Sequence, residues 1–72
     1  MNDQKYLERL GAHIRKLREE KEISQSELAR LADKDRQSIH RLEKGEVNPS
    51  VLFLKQIAKA LEVPLKDIFD FE

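Results

Sequence analysis

The segment that decides the fold runs from Ser24 to Gly45 and reads SQSELARLADKDRQSIHRLEKG. It opens with a capping-box pattern, because the Ser24 hydroxyl can accept from the Glu27 amide while the Glu27 carboxylate reaches back to the first residue. The small and apolar residues that follow share one side of a helix of little more than two turns; they are Leu28, Ala29 and Ala32. This pattern predicts a short helix that another helix can approach closely.

A second short helix is predicted over residues 36–44. Asp35 is its expected N-cap, and Gly45 supplies the left-handed residue that closes it. Ile39 and Leu42 form an apolar pair at i, i+3 and are its only inward-facing side chains. Because so narrow an edge packs on the core, most of the circumference of this helix faces outward, and its exposed residues are informative about function.

The whole segment resembles the helix-turn-helix of the phage-repressor, Cro and XRE-type family. The resemblance rests on S-Q-x-E-L-A, a short turn and x-x-x-x-I-x-x-L-E-x-G, and it continues through residues 48–50, 57–61 and 65–69. It implies an all-α fold, a compact five-helix bundle of the lambda-repressor-like type whose helices 2 and 3 form the helix-turn-helix at 24–45. Residues 1–72 are then expected to form a single DNA-binding domain.

The outward face of the third helix carries the residues expected to read DNA. A helix fits the major groove, where arginine can donate two hydrogen bonds to guanine and glutamine can pair with adenine. By resemblance, Gln25 at the start of the preceding helix contacts DNA and also braces the recognition helix. The expected base contacts are Arg36, Gln37 and Arg41, with Ser38 and His40 as lesser candidates and Gln25 beside them.

Three further residues are expected at the phosphate backbone. Ser24 lies at the start of the second helix, where free backbone amides and the helix dipole favour an anion. Lys44 and Asn48 follow the recognition helix and are placed to fix register without reading sequence. Taken alone, a polar helix face with two arginines is most often a solvated surface. Within this whole pattern, DNA contact becomes the better interpretation.

The first helix is predicted from a single apolar stripe and begins near Asn2 or Asp3, either of which can cap it. The stripe consists of Leu7, Leu10, Ile14 and Leu17. In the resembling family, an arginine in the place of Arg18 reaches a glutamate in the place of Glu43, which implies a structural ion pair. His13 has no metal-ligating partner at helical spacing and is expected to be an ordinary surface histidine.

The chain departs from the family pattern in two places. Glu22 stands where the family often has a glycine at the end of the first helix. In the central turn, Asp33 and Lys34 replace a glycine and a small aliphatic residue. Asp33 tolerates the left-handed region better than most residues, and Leu31 is expected to cover the space that the missing aliphatic leaves.

The C-terminal part is predicted to contain two helices. Ser50 caps the fourth, whose largely core residues are Leu52, Phe53, Leu54, Ile57, Ala58 and Leu61, and Pro64 opens a short fifth. The candidates for a two-fold dimer contact are Val51, Phe69 and Phe71. The alternative is that this aromatic end only tucks against the edge of the domain.

Composition excludes several classes of protein. The chain has 72 residues, no cysteine, and 14 basic side chains balanced by 14 acidic ones. Residues 13–44 carry nine basic and seven acidic side chains, whereas residues 45–72 carry three and five, so the positive charge lies around the helix-turn-helix. No apolar run is long enough for a membrane span, and no signal-peptide pattern is present. We therefore expect a cytoplasmic protein without disulfides, metal or cofactor.

These observations favour a transcriptional regulator that binds double-stranded DNA as a homodimer, most simply a repressor at an inverted-repeat operator. No glycine-rich phosphate loop or catalytic arrangement is recognisable, so an enzyme is not expected. Regulation is expected through protein concentration, occupancy of its own promoter or a second regulatory protein. The alternative is a protein-interaction module on the same fold, such as an antirepressor, a bridging factor or an antitoxin, with little DNA binding.

Overall fold

A computed structural model describes residues 3–72 and shows five helices and no strand within them. Asn2, one of the two expected caps of the first helix, lies outside the described residues. The helices in chain order are α1 (Asp3–Glu20), α2 (Gln25–Leu31), α3 (Arg36–Glu43), α4 (Val51–Leu61) and α5 (Leu65–Ile68). The predicted all-α, five-helix architecture is confirmed.

The core lies between all five helices. Leu10 and Ile14 of the α1 stripe are buried, whereas Leu7 and Leu17 at its two ends are half-buried. The largest fully buried side chains are Ile14, Leu28, Ile39, Leu42, Ile57, Leu61 and Ile68. Every helix contributes at least one of them, so each short helix depends on the others for its burial.

Leu52 is an exception to the predicted core. Its side chain is 70% exposed, although α4 as a whole is strongly apolar. The inward face of α4 is formed by Leu54, Ile57, Ala58 and Leu61. Leu52 precedes Leu54 by two residues, about 200° around a helix of 3.6 residues per turn, and therefore points away from the core.

Four helices end at a residue with positive φ. Gly45 closes α3 with φ of 74°, and its neighbour Glu46 donates its amide to the Arg41 carbonyl at 3.0 Å, as in a Schellman motif. The other three are not glycines: Glu22 follows α1, Asp33 follows α2 and Glu62 follows α4, with φ of 57° to 60°. The residue that replaces the family's glycine after α1 thus adopts the left-handed conformation itself.

The central turn compensates for its missing aliphatic residue differently from the prediction. Leu31 remains 45% exposed and does not cover the space. Lys34 is half-buried instead, and its ammonium lies 5.2 Å from the centroid of the Phe53 ring on α4. A half-buried lysine can cover apolar surface with its aliphatic stem while its charge lies over an aromatic face.

α5 and the residues after it are joined to α1 by His13. Its Nε2 lies 2.7 Å from the Asp67 carbonyl, and its ring lies 5.6 Å from the ring of Phe71. Phe71 also contacts Tyr6, at 5.3 Å between centroids. His13 is therefore a half-buried link between helices and not the surface histidine that local spacing suggested. Phe71 therefore packs against more of the protein than its position in the sequence indicated.

Candidate nucleic-acid interface

Both helices of the helix-turn-helix begin at the predicted caps. Ser24 Oγ accepts from the Glu27 amide at 3.0 Å, and Asp35 Oδ1 accepts from the Ser38 amide at 2.7 Å. The reciprocal half of the predicted capping box does not form, because the Glu27 carboxylate instead binds the guanidinium of Arg30, with 3.2 Å from Arg30 Nε to Glu27 Oε1. This exposed pair lowers the pKa of Glu27 and raises that of Arg30 through the side-chain hydrogen bond.

A buried carboxylate at the end of α3 fixes the recognition helix to α1 and α2. Arg18 Nε donates to Glu43 Oε2 at 2.7 Å, and a second guanidinium nitrogen of Arg18 donates to Glu43 Oε1 at 3.0 Å. Gln25 Nε2 also donates to Glu43 Oε1, at 3.0 Å, and the remaining guanidinium nitrogen of Arg18 donates to the Ile23 carbonyl at 2.8 Å. The hydrogen bond to Glu43 raises the pKa of Arg18, so the guanidinium stays protonated.

The C-terminal end of α3 lies directly against the backbone of α1. A Cβ atom on Gly11 would come within 2.4 Å of the Leu42 carbonyl oxygen, and one on Gly45 within 2.7 Å of the Glu8 backbone. Gln4 Nε2 donates to the Gly45 carbonyl at 3.0 Å across the same contact. Glycine at these two positions therefore lets α1 support the helix that faces outward.

The expected reading residues occupy the free side of α3. Arg36, Gln37 and Arg41 are exposed, and none forms a hydrogen bond or ion pair with another described residue. Gln37 and Arg41 lie four residues apart, and therefore one above the other on the same helix face. Ser38 and His40 are half-buried at the edges of this face. The structure therefore leaves two guanidinium groups and one amide available to a ligand.

The other expected DNA contacts lie around this face and differ in how exposed they are. Gln25 is half-buried and uses one amide hydrogen on Glu43, which leaves its other hydrogen and its carbonyl oxygen free. Ser24 and Lys44 are exposed, and the Lys44 ammonium lies 3.8 Å from a Glu46 carboxylate oxygen. Asn48 is exposed as well, but it borders an apolar groove on the α1 side. Phosphate contact by Asn48 would occur at the rim of that groove.

Asp35 places a negative charge at the start of the recognition helix. Its carboxylate has a pKa below its usual range, first because the Ser38 amide donates to it, then because of the Ser38 side chain and the charges of Arg41 and Lys34. The side chain is exposed and ionised at neutral pH. The interface therefore combines cationic groups with one carboxylate, an arrangement that can hydrogen-bond both acceptors and donors on base edges.

An apolar groove lies on another side of the domain. It has a volume of about 340 Å³ and includes two of the three expected dimer residues, Val51 and Phe69, which are 66% and 42% exposed. The third, Phe71, packs on Tyr6 instead. Tyr6 lines the groove and is 49% exposed, and sequence reasoning missed it. The only local signal for Tyr6 in the sequence was its position, one residue before Leu7 of the apolar stripe.

Metal-holding clusters and membrane-spanning helices are both absent among residues 3–72. No group of three or more histidine, aspartate or glutamate side chains there could hold a metal ion. Within the same residues, no helix is long and apolar enough to cross a membrane.

Comparison with known proteins agrees with the fold. A helix-turn-helix family model matches residues 14–68. The chain is 38% identical over 64 residues to the HTH-type transcriptional regulator SlrR of Bacillus subtilis, a match that covers 88% of this chain and 42% of SlrR. It is 36% identical over 63 residues to an HTH-type transcriptional regulator of Archaeoglobus fulgidus, covering 88% of this chain and 89% of that protein. The chain therefore spans less than half of SlrR but most of the archaeal protein.

A solved structure is similar along almost the whole chain. It is the restriction-modification controller protein C.AhdI from Aeromonas hydrophila, with a TM-score of 0.93 and 30% sequence identity over 96% of this chain and 100% of that one. The helix-turn-helix transcriptional regulators that this chain resembles are not enzymes. The family match, the five-helix fold and the braced outward-facing third helix lead to one conclusion. The chain belongs to the XRE/Cro-type helix-turn-helix family of transcriptional regulators.

Proposed function

We propose that this regulator recognises a specific double-stranded DNA sequence by placing α3 (Arg36–Glu43) in the major groove. The observation that carries the proposal is the division of α3 into two sides. Ile39, Leu42 and Glu43 are buried on one side, whereas Arg36, Gln37 and Arg41 are exposed on the other, with no side-chain hydrogen bond or ion pair to any of residues 3–72. Side chains of these types match the hydrogen-bonding edges of guanine and adenine.

Charge supports this proposal despite a net charge of zero. Glu43, the acidic residue nearest the end of α3, is buried and neutralised by Arg18, so it adds little negative potential to the surface. The exposed cations near α3 include Arg36, Arg41 and Lys44. Because phosphate contacts release counterions, affinity for DNA should fall steeply as salt increases.

The proposed binding unit is a homodimer joined through the apolar groove. Its exposed apolar side chains, Tyr6, Val51 and Phe69, lie with Leu7 and Pro49 around one concave surface. Among residues 3–72, its single charged lining residue is Asp3. An isologous contact of this surface with a second copy would relate the two recognition helices by a two-fold axis. The matching DNA site is then an inverted repeat with half-sites about 10 bp apart.

Within this scheme the regulator acts most simply as a repressor, because a dimer bound over a promoter excludes polymerase without any further domain. Control would come from protein concentration, from occupancy of its own promoter or from a second regulatory protein. Since its ligand is chromosomal or plasmid DNA, the proposal places the protein in the cytoplasm. A footprint that overlaps a promoter supports repression, whereas one immediately upstream supports activation.

Selection of bound duplexes from a random DNA library tests the proposal. The wild-type protein is compared with Arg36→Ala and Gln37→Ala, and with Arg15→Ala as a control, because Arg15 is an exposed arginine on α1 far from α3 in sequence. We expect wild type and Arg15→Ala to enrich the same inverted repeat. Each α3 variant should relax base preference at one or two positions of each half-site, by about 1 to 3 kcal/mol per lost contact.

Two results of this selection would contradict the proposal in whole or in part. If the folded wild-type protein enriches no sequence even at low salt, α3 does not read DNA, and the exposed face is a surface for a partner protein, as in an antirepressor or antitoxin. If a single half-site is enriched without an inverted partner, DNA recognition stands and the dimeric arrangement does not.

A further inference from the structure

The residue immediately before the recognition helix has chemistry that the arginine and glutamine contacts do not provide. Asp35 is exposed, and one of its carboxylate oxygens accepts the Ser38 amide at 2.7 Å. An ionised carboxylate has about four lone-pair sites, and it cannot donate a hydrogen bond. Capping therefore fixes the orientation of the Asp35 side chain and leaves acceptor capacity on its outer oxygen.

Asp35 lies beside the reading residues, at the start of the same helix. It is covalently adjacent to Arg36, and Gln37 follows in the first turn of α3. The Arg41 and Lys34 charges act on the carboxylate and help to keep it ionised, yet neither forms an ion pair with it among the described residues. Among residues 3–72, only the amide and the side chain of Ser38 bind the Asp35 carboxylate, whose roughly four lone-pair sites leave acceptor capacity for a ligand.

Each base pair offers a pure acceptor one partner in the major groove, on the strand that carries its amino-bearing base. Only cytosine N4 and adenine N6 present hydrogen-bond donors there, whereas guanine and thymine present carbonyl or ring-nitrogen acceptors. A carboxylate facing guanine O6 or thymine O4 would be desolvated opposite another acceptor, which is unfavourable. A negative charge at this place also repels the phosphate backbone when the base contact is not made.

We propose that Asp35 is a specificity-determining residue, which selects an amino-bearing base, cytosine or adenine, at the position facing the start of α3 and rejects guanine and thymine there. The inference rests on the proposed DNA recognition by α3. It adds a negative selection that lowers affinity for every duplex with the wrong base. Asp35 thereby lowers the affinity for DNA in general and increases the discrimination between bases. The chain that carries it has no excess of basic residues.

The test compares wild type with Asp35→Asn in the same selection, followed by competition binding with duplexes changed at one position. Asparagine caps helices as well as aspartate does, so α3 should still form. Its amide can both donate and accept, so it tolerates all four bases better. We expect the preference for cytosine or adenine at one position of each half-site to fall by at least about fivefold, with the positions read by Arg36 and Gln37 unchanged.

Asp33→Asn is the matched control. Asp33 is also exposed, lies two residues away in the turn, and has φ of 57°, which asparagine adopts readily. Both variants remove one negative charge, so both should bind any duplex somewhat more tightly, but only Asp35→Asn should change base preference. Asp35→Ser, another good N-cap, provides a second variant whose thermal melting and binding are measured in parallel.

The outcomes separate the two proposals. If wild type enriches a motif and Asp35→Asn or Asp35→Ser enriches the same motif with the same preferences, the role of Asp35 is overturned while DNA recognition stands. The same conclusion follows if Asp33→Asn changes base preference equally. If wild type enriches nothing, DNA recognition by α3 fails and the role of Asp35 fails with it.

Discussion

At the scale of single residues, Glu43 has the largest influence on the site. It is 7% exposed and accepts from Arg18 and Gln25, which belong to α1 and α2. A carboxylate buried to this extent is stable only while its donors remain. The orientation of the recognition helix therefore depends on two side chains that never meet the proposed ligand.

Arg18→Met should destabilise the domain strongly. The substitution keeps an unbranched apolar stem but leaves the Glu43 charge without its counter-ion, a loss of about 3 to 5 kcal/mol. A domain of this size has a free energy of unfolding of about 4 to 11 kcal/mol, so the variant should lose a large fraction of its stability. Urea denaturation followed by circular dichroism measures the change.

Two further variants identify the cause of the destabilisation in Arg18→Met. Arg15→Met removes an exposed pair with Glu19, whose side chains are 63% and 55% exposed, and should cost less than about 1 kcal/mol. The double variant Arg18→Met, Glu43→Leu removes both buried charges and should recover most of the lost stability. If the double variant is no more stable than Arg18→Met, the unpaired charge is not what destabilises the single variant.

At the scale of helices, the position of α3 is set by the backbone of α1 as well as by side chains. The α1 backbone at Gly11 touches the last carbonyls of α3, where even one methyl group has no space. Helix propensity alone would favour alanine at this position over glycine by about 1 kcal/mol. Glycine is retained in the middle of a helix because the contact requires it.

Gly11→Ala should therefore destabilise the protein although alanine is the better helix former. The added Cβ would lie 2.4 to 2.7 Å from main-chain atoms of Leu42 and Glu43, which cannot move without displacing α3. We expect a net loss of about 1 to 3 kcal/mol, measured by thermal unfolding. Ala12→Gly changes the exposed neighbouring residue. It measures the difference in helix propensity alone, a loss of about 1 kcal/mol in stability. An increase in melting temperature for Gly11→Ala would contradict the close contact.

Local chemistry predicted the ends of these helices well. Ser24 and Asp35 cap α2 and α3, Ser50 caps α4, and Gly45 takes the left-handed conformation, because each depends only on residues within one turn. The Arg18 to Glu43 pair followed from family resemblance, since its members are 25 residues apart. It could not have been derived from spacing.

Contacts between distant helices escaped prediction for the same reason. His13 meets the Asp67 carbonyl across 54 residues, and nothing near His13 in the sequence indicates it. Lys34 was expected to leave a gap, but it is half-buried and its ammonium lies over the Phe53 ring. Gln25 was expected to brace the recognition helix, yet only the structure identifies Glu43 as its acceptor. Such pairs depend on how helices pack, which hydrophobic period alone does not determine.

At the scale of the whole molecule, the domain has two separate surfaces. The free side of α3 is polar, whereas the groove around Tyr6, Val51 and Phe69 is largely apolar. A chain of 72 residues buries only about 60% of the surface that its unfolded form exposes, so its own core gives a small margin. Covering the groove with a second copy would add stability that depends on protein concentration.

Val51→Glu should weaken this association without unfolding the monomer. Val51 is 66% exposed at the first turn of α4, where a carboxylate is compatible with the helix dipole but not with a buried apolar contact. We expect the apparent dimer dissociation constant to rise by about tenfold or more, which corresponds to about 1.4 kcal/mol, in sedimentation equilibrium experiments.

Leu31→Glu is the control for this measurement. Leu31 is 45% exposed, lies outside the groove beside Asp33 and Gln56, and should leave the dimer unchanged. Equal weakening by both variants would mean that the groove is not the contact surface. The melting temperature of wild type should also rise with protein concentration, while that of Val51→Glu should rise less.

The separation of buried and exposed positions on α3 has a consequence for how such proteins diversify. Ile39, Leu42 and Glu43 hold the helix in place, whereas the side chains of Arg36, Gln37 and Arg41 form no hydrogen bond or ion pair within the described part of the chain. Outward positions can therefore be exchanged without loss of the scaffold. A duplicated copy of this chain could acquire a new target sequence through a handful of substitutions, and the two copies would then control different genes from one architecture.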